Sequence, residues 1–348
     1  MTVKPYNNDI INGKGYKMEN KHQSYDLAQM QSLPLDVKIR MTERRIREWY
    51  ESFNGDVYVS VSGGKDSQVL AHIVKNLYPD VPCVFVNTGL EYDSVRLKGI
   101  ELSDEILQPE MSFVEVITKY GYPVISKEIS LFVHQMQMPQ TERNAKTRNL
   151  RLNGIRSDGV KVQTGKIPDK WKFLIDAPFR ISNYCCDVMK KKPAHKYDKT
   201  TDRKPFIGTM ADESRQRKKQ WMQNGCNAFN KKNPSSQPLS FWTEQDILHY
   251  IKKYDLKIAD VYGDIVINDN SILTTTGVNR TGCVFCMFGI TQDTERFLRL
   301  KDEEPKKYDF VMRGGKFDES GMWVPHKGLG YKFVIDWLNE HGGLNIRY

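Results

Sequence analysis

Apolar residues along this chain alternate between two spacings. Leu35, Ile39, Ile46, Trp49 and Phe53 fall three, four or seven positions apart, which is one face of a helix. Pro34 precedes that run and Asn54-Gly55 stops it. Val57, Tyr58, Val59 and Val61 then form a β-branched and aromatic block, read as a buried strand. Gly63-Gly64 turn the chain, and Val69, Leu70, Ile73, Val74 and Leu77 return to helical spacing. After Pro79 a second apolar strand, Cys83-Val84-Phe85-Val86, ends in Asn87-Thr88-Gly89, with another helix expected from about Glu91. Strand, helix, strand, helix in this order predicts an α/β fold: a parallel, doubly wound sheet.

The pattern weakens elsewhere. Residues 1–24 are polar and aperiodic, read as a flexible or draped arm. Residues 130–180 alternate Gln-rich and Lys/Arg-rich pieces, read as an insertion or mobile segment with some helix. Phe206-Ile207-Gly208 is a short strand, and Trp242 to Ile251 a helix capped by Thr243. An amphipathic helix is expected near Tyr331–Leu338. The chain is therefore divided into an N-terminal arm and helix (1–54), a central domain (55–290) with a basic insertion around 130–180, and a C-terminal accessory lobe (291–348).

Composition narrows the class. At 348 residues, 39% hydrophobic and 11% aromatic, the chain can bury a core and is not disordered. No stretch approaches the roughly 20 apolar residues that span a bilayer, so no membrane partner is expected. The start has no apolar signal region, and six cysteines make no disulfide scaffold, so a reducing cytoplasmic location is expected. Lys and Arg exceed Asp and Glu by nine, 52 against 43. Residues 141–220 hold 21 basic and 9 acidic residues, a local excess of twelve. That concentration suits a polyanion, either nucleotide phosphates or a nucleic acid, and equally a solvated lysine-rich surface.

The motif richest in chemistry is Ser62-Gly63-Gly64-Lys65-Asp66-Ser67, between a strand and a helix. Two glycines let the backbone approach an anion. The helix start offers unpaired N–H groups and a positive dipole end. Ser62 and Ser67 add hydroxyls, Lys65 a charge, and Asp66 lies at the capping end. The spacing is not that of a Walker loop.

This loop, with the second strand ending Asn87-Thr88-Gly89-Leu90-Glu91-Tyr92, resembles the PP-loop ATP pyrophosphatase superfamily. Within it the chain resembles the phosphoadenosine phosphosulfate (PAPS) reductase family, from Val57 to Phe288. The resemblance implies a five-stranded parallel sheet with an adenine nucleotide at its C-terminal edge, held by Ser62 to Ser67, Thr88 and Gly89. The segment from Gly208 through Glu213, Ser214 and Arg217 resembles the family's Gly-x-Arg-x-x-Glu-Ser-x-x-Arg substrate element. Its first Arg is Met210 here, which loses one anion contact; Arg217 can still grip phosphate with two parallel N–H bonds. Pro238 to Trp242 matches a packing element, and Lys127 is a further candidate phosphate ligand. Members commonly form oligomers, so a homo-oligomer is expected.

Five of the six cysteines lie beyond residue 180. Cys185-Cys186 are adjacent, and Cys283-Val-Phe-Cys286 follows 97 positions later. Soft thiolates take zinc or iron–sulfur clusters. Adjacent cysteines suit a zinc site poorly and can reach two corners of a [4Fe–4S] cube. Zinc and free or oxidised thiols remain the alternatives. The set resembles the cluster pattern of adenylyl-sulfate (APS) reductases, which implies a [4Fe–4S] cluster at Cys185, Cys186, Cys283 and Cys286. That resemblance places Lys190 between cluster and nucleotide. Cys83 reads as a core residue; Cys226, in Asn-Gly-Cys-Asn-Ala, reads as exposed in a polar loop, with a persulfide carrier as the alternative.

Two departures set the expected function. Sulfonucleotide reductases attack with a cysteine near the C-terminus, and the last 62 residues here contain none. Their phosphate loop tends to be degenerate, and this one is intact. Both features predict ATP cleavage at the α–β bond with Mg²⁺, using Lys65, Asp66, Lys190 and Arg217, for sulfur transfer or activation. Intact loop plus cluster resembles the DNA phosphorothioation ATPases and cluster-dependent tRNA thiolation enzymes, so nucleic acid or a sulfur-donor protein is the expected partner. The alternatives are a reductase with an atypical thiol such as Cys226, and a DNA-binding regulator that senses nucleotide and cluster.

Overall fold

A computed structural model describes residues 21–348, so nearly all of the expected arm lies outside the described residues. Where the chain enters, the His22 ring stacks on Trp221 at 4.7 Å. The first half runs α1 (Ser24–Gln31), α2 (Leu35–Ser52), β1 (Val57–Val61), α3 (Lys65–Leu77), β2 (Cys83–Val86), α4 (Asp93–Leu102), β3 (Glu105–Leu107), α5 (Phe113–Tyr120), β4 (Val124–Ile125), α6 (Lys127–Gln137) and α7 (Glu142–Asn153). A 3₁₀ stretch, Asp169–Asp176, and a wide π-type turn, Asp187–Lys191, lead into α8 (Lys192–Thr201). Then come β5 (Lys204–Ile207), α9 (Arg215–Asn224), β6 (Asn227–Ala228), β7 (Ser235–Ser236), α10 (Glu244–Lys253), β8 (Ile265–Ile267), β9 (Leu273–Thr275) and β10 (Met287–Phe288). Three helices close the chain: α11 (Arg296–Glu303), α12 (Pro305–Met312) and α13 (Tyr331–Gly342).

The main sheet has the order β3-β2-β1-β5-β7-β6. Its first five strands are parallel, as expected, and β6 adds an antiparallel edge. Strand β1 shows why both faces are covered. Val57, Val59 and Val61 pack into a core with residues of α2, α3 and α10. Tyr58 points the other way, meets Tyr197 of α8 edge-on and donates to Asp198 at 2.8 Å. Among the described residues no helix is long and apolar enough to cross a membrane.

A second core lies beyond the sheet. It unites residues of α5, α6, the 167–189 segment and α11 to α13. The 130–180 region is thus anchored by buried Phe132, Val133, Ile167 and Leu174, while α7 on its outside buries no residue. The C-terminal helices share this core with α5 and α6.

Candidate functional site

The phosphate loop sits at the C-terminal end of β1. Gly63 has φ of +75°, and a Cβ there would lie 1.9 Å from the Val95 carbonyl of α4. Only glycine satisfies both conditions. The loop is tied to itself: Ser67 Oγ accepts from the Ser62 N–H at 3.0 Å and donates to the Gly64 carbonyl at 2.9 Å. Helix α3 starts at Gly64 with no side-chain cap, which leaves its positive dipole end for an anion.

Lys65 is 4% exposed and already engaged. Its Nζ lies 3.0 Å from Glu244 and donates to the Asn279 carbonyl at 2.5 Å. Its N–H donates to the Tyr262 hydroxyl at 3.3 Å, and that hydroxyl bonds Thr281 at 2.7 Å. Burial pushes the Tyr262 hydroxyl up to about 12, so it keeps its proton at neutral pH. Burial also raises the Asp66 carboxyl to about 6; Lys65 pulls it down and Glu213 pushes it further up. Asp66 Oδ1 is buried without a hydrogen-bond partner.

Opposite the loop stands Glu213. It accepts the Met210 N–H at 2.7 Å, holds Arg280 at 2.8 Å and contacts Arg217. Ser214 caps α9 by accepting the Arg217 N–H at 3.2 Å and does not line the cavity.

The cysteine wall is built from three distant segments. Strand β4 pairs in parallel with β10, which carries the Cys283–Cys286 turn to the start of α6 and Lys127. On its other side Tyr122 bridges Ile181, which delivers Cys185 and Cys186 to the same place. The Val284 N–H donates to the Leu90 carbonyl at 2.7 Å, next to Glu91. The C-terminal helices clamp the turn: buried Tyr331 donates to the Phe285 carbonyl at 2.7 Å, and Arg296 to those of Cys286 and Phe288.

Lys190, in the π-type turn, faces Cys283 and lies 3.4 Å from Glu91. Burial lowers its pKa, but Cys283 and Glu91 outweigh this and hold the ammonium above its ordinary value. The neighbouring Cys185 thiol, and then Lys127 and Lys190, hold the Cys186 thiol below its usual range. Burial pushes Cys286 up to about 12. Among the described residues no three His, Cys, Asp or Glu side chains stand close enough to grip a single metal ion.

Both walls open onto one cavity of about 640 Å³. Ser62, Gly64, Lys65, Asp66, Ser67, Glu213 and Arg217 line one side, and Cys186, Cys283, Cys286, Lys127 and Lys190 the other. Cys185 is buried behind Cys186. Thr88 and Gly89 instead line a neighbouring cavity of about 580 Å³; Thr88 donates to Glu91 at 2.7 Å. Lys127, expected on phosphate, lies beside Cys186. Cys226 is not an exposed loop thiol. It is 7% exposed in the sheet core, accepts from Ser240 at 3.3 Å and does not line the cavity. Glu244, Tyr262 and Arg280 were not read from the sequence, and Glu91, quoted there within the 87–92 motif, was given no site role. Arg280, three residues before the Cys-x-x-Cys pair, is the one whose position offered a signal.

Comparison with known proteins follows this geometry. The family model for the phosphoadenosine phosphosulfate reductase domain matches residues 56–106 and 134–287, more than half of the chain. The chain belongs to this family. The matched residues include the phosphate loop, the Glu213–Arg217 segment and all four clustered cysteines. It is a family of nucleotide-binding PP-loop enzymes. A crystal structure of phosphoadenylyl-sulfate (PAPS) reductase from Candida auris, a phosphate complex, is similar over 73% of this chain and 99% of that one, at 12% identity and a TM-score of 0.37. No curated protein matches.

Proposed function

We propose that the chain binds ATP in this cavity and cleaves it between the α and β phosphates, activating an acceptor for sulfur transfer. One observation carries this reading: every residue of the phosphate loop but Gly63, and three of the four clustered cysteines, line the same cavity. Nucleotide activation and thiol or cluster chemistry then share one space.

The acceptor's oxygen would attack the α phosphorus; the bond to the bridging oxygen breaks, and pyrophosphate leaves with that electron pair. Positioning and charge neutralisation are the protein's tasks. Phosphate oxygens would take the loop N–H groups, displacing the Tyr262 hydroxyl from the Lys65 N–H. Lys65 would exchange Glu244 and the Asn279 carbonyl for phosphate. Arg217 holds the departing charge. Mg²⁺ would supply further neutralisation, and the orphaned Asp66 Oδ1 fits a cation ligand.

The cofactor proposed for Cys185, Cys186, Cys283 and Cys286 is a [4Fe–4S] cluster. A tetrahedral zinc ion on the same thiolates is the alternative. Lys127 and Lys190, which face Cys186, suit an anionic cluster. When bound, the cluster would supply redox or sulfur-binding chemistry. Acceptors suited to the basic 141–220 stretch are nucleic acids, with a sulfur-donor protein as second partner.

The family description also allows sulfonucleotide reduction. The two cysteines outside the cluster set, Cys83 and Cys226, are both buried, so neither is poised as the attacking thiol. Anaerobic titration of iron- and sulfide-reconstituted protein separates the readings. ATP with Mg²⁺ is expected to outcompete adenylyl sulfate and its 3′-phosphorylated form, and Lys65→Ala to abolish that binding. No binding of ATP at all ends the proposal.

A further inference from the structure

Met210 stands where the family's substrate element carries an arginine, and it brings no charge. The structure fills the gap from elsewhere. Arg280 arrives from a segment 70 residues further along and lines the same cavity. Its Nη2 lies 2.8 Å from Glu213 Oε2, the carboxylate that also contacts Arg217. Glu213 Oε1 is occupied by the Met210 N–H. Two guanidiniums therefore share one carboxylate, an excess of one positive charge at the mouth of the phosphate cavity.

Arg280 is also placed by its neighbours. The Asn279 carbonyl accepts from Lys65, and Thr281 bonds Tyr262, whose hydroxyl meets the phosphate-loop N–H. The backbone on each side is thus tied to the loop. A guanidinium has five N–H donors in a rigid fork, and the bond to Glu213 uses one edge. With its side chain 60% exposed, Arg280 has its remaining donors available to a ligand.

We propose that Arg280 is an anion-binding residue for the phosphate chain of the nucleotide, replacing the arginine that Met210 lacks. Glu213 brackets Arg217 and Arg280 as a two-arginine clamp. This inference rests on the nucleotide reading above.

Calorimetric titration of reconstituted protein with ATP, and separately with inorganic pyrophosphate, tests it. Arg280→Ala is expected to weaken both ligands by roughly 10- to 100-fold, the worth of a charge-assisted bidentate contact. Its melting temperature should stay that of the wild type, because the side chain is exposed. Arg280→Lys keeps the charge without the fork and should fall between. If the wild type binds ATP and Arg280→Ala binds it equally well, this inference fails and the nucleotide reading stands. Met210 is buried in the sheet core, so Met210→Arg added to Arg280→Ala is read alongside its melting temperature. A double variant that keeps that temperature should regain binding, and one that keeps it and binds no better than Arg280→Ala overturns the replacement. A wild type that binds neither ligand overturns both.

Discussion

The two walls of the cavity are made in opposite ways. The phosphate wall is built around a local turn, whose bonds join residues from Ser62 to Ser67, and Lys65 then ties that turn to Glu244, Tyr262 and Asn279. The cysteine wall is assembled at long range. Tyr122, Ile181, Phe285, Met287, Arg296 and Tyr331 all bear on it, through pairing and bonds that span up to about half of the chain. A local wall depends on backbone conformations that particular residues permit. A long-range wall depends on distant elements staying docked. Substitutions should therefore harm the two walls in different ways.

The largest effect is expected at Gly63. Gly63→Ala would force a Cβ against the Val95 carbonyl at a φ that L side chains rarely adopt. The cost should exceed about 3 kcal/mol, read by denaturant unfolding. Gly282 provides the contrast on the cysteine wall: a Cβ there meets nothing within 4 Å. Gly282→Ala should stay within about 0.5 kcal/mol of the wild type. Equal costs at the two glycines would erase the distinction.

A smaller and more selective effect is expected at Tyr331, which is fully buried. Tyr331→Phe removes the hydroxyl that donates to the Phe285 carbonyl between the two cysteines of the turn. Leaving that carbonyl unpaired should cost about 1–3 kcal/mol. Iron uptake on reconstitution should fall while ATP affinity stays near the wild type. Parallel loss of both would mean that the walls are not separately supported.

The same contrast explains what the sequence revealed. Strands β1 and β2 and helix α3 are legible because apolar spacing and the two glycines carry their own physics; their alternation predicts a parallel sheet, while the number of five strands came from the resemblance. Thr243 caps α10 as read, because capping is settled within four residues. The four cysteines could be counted, and resemblance grouped them. Their meeting depends on the pairing of two-residue strands, β4 with β10, which have no periodicity to read. Arg280 was missed for that reason: it reaches Glu213 only once the 279–283 segment folds over the loop. Cys226 misled because polar neighbours in sequence suggested exposure, while Ser240 and the sheet edge bury it.

The smallest expected effect tests the electrostatics of the phosphate wall. Burial holds the Asp66 carboxyl near 6 in the folded chain, against about 3.9 when unfolded. Between those values the folded state binds a proton that the unfolded chain does not. Stability from this group is therefore greatest below about pH 4 and is lost as pH rises through 6. At pH 7.5 Asp66 is a buried charge with an unpartnered oxygen, which costs stability unless a cation is present. In metal-free buffer Asp66→Asn should melt higher than the wild type at pH 7.5, by roughly 2 °C, with the gap closing toward pH 4. Added Mg²⁺ and ATP should reverse the order, because only the carboxylate serves a cation. An Asn variant that melts lower at every pH would show that Lys65 already compensates the charge, so that the phosphate wall needs no cation to hold its buried carboxylate.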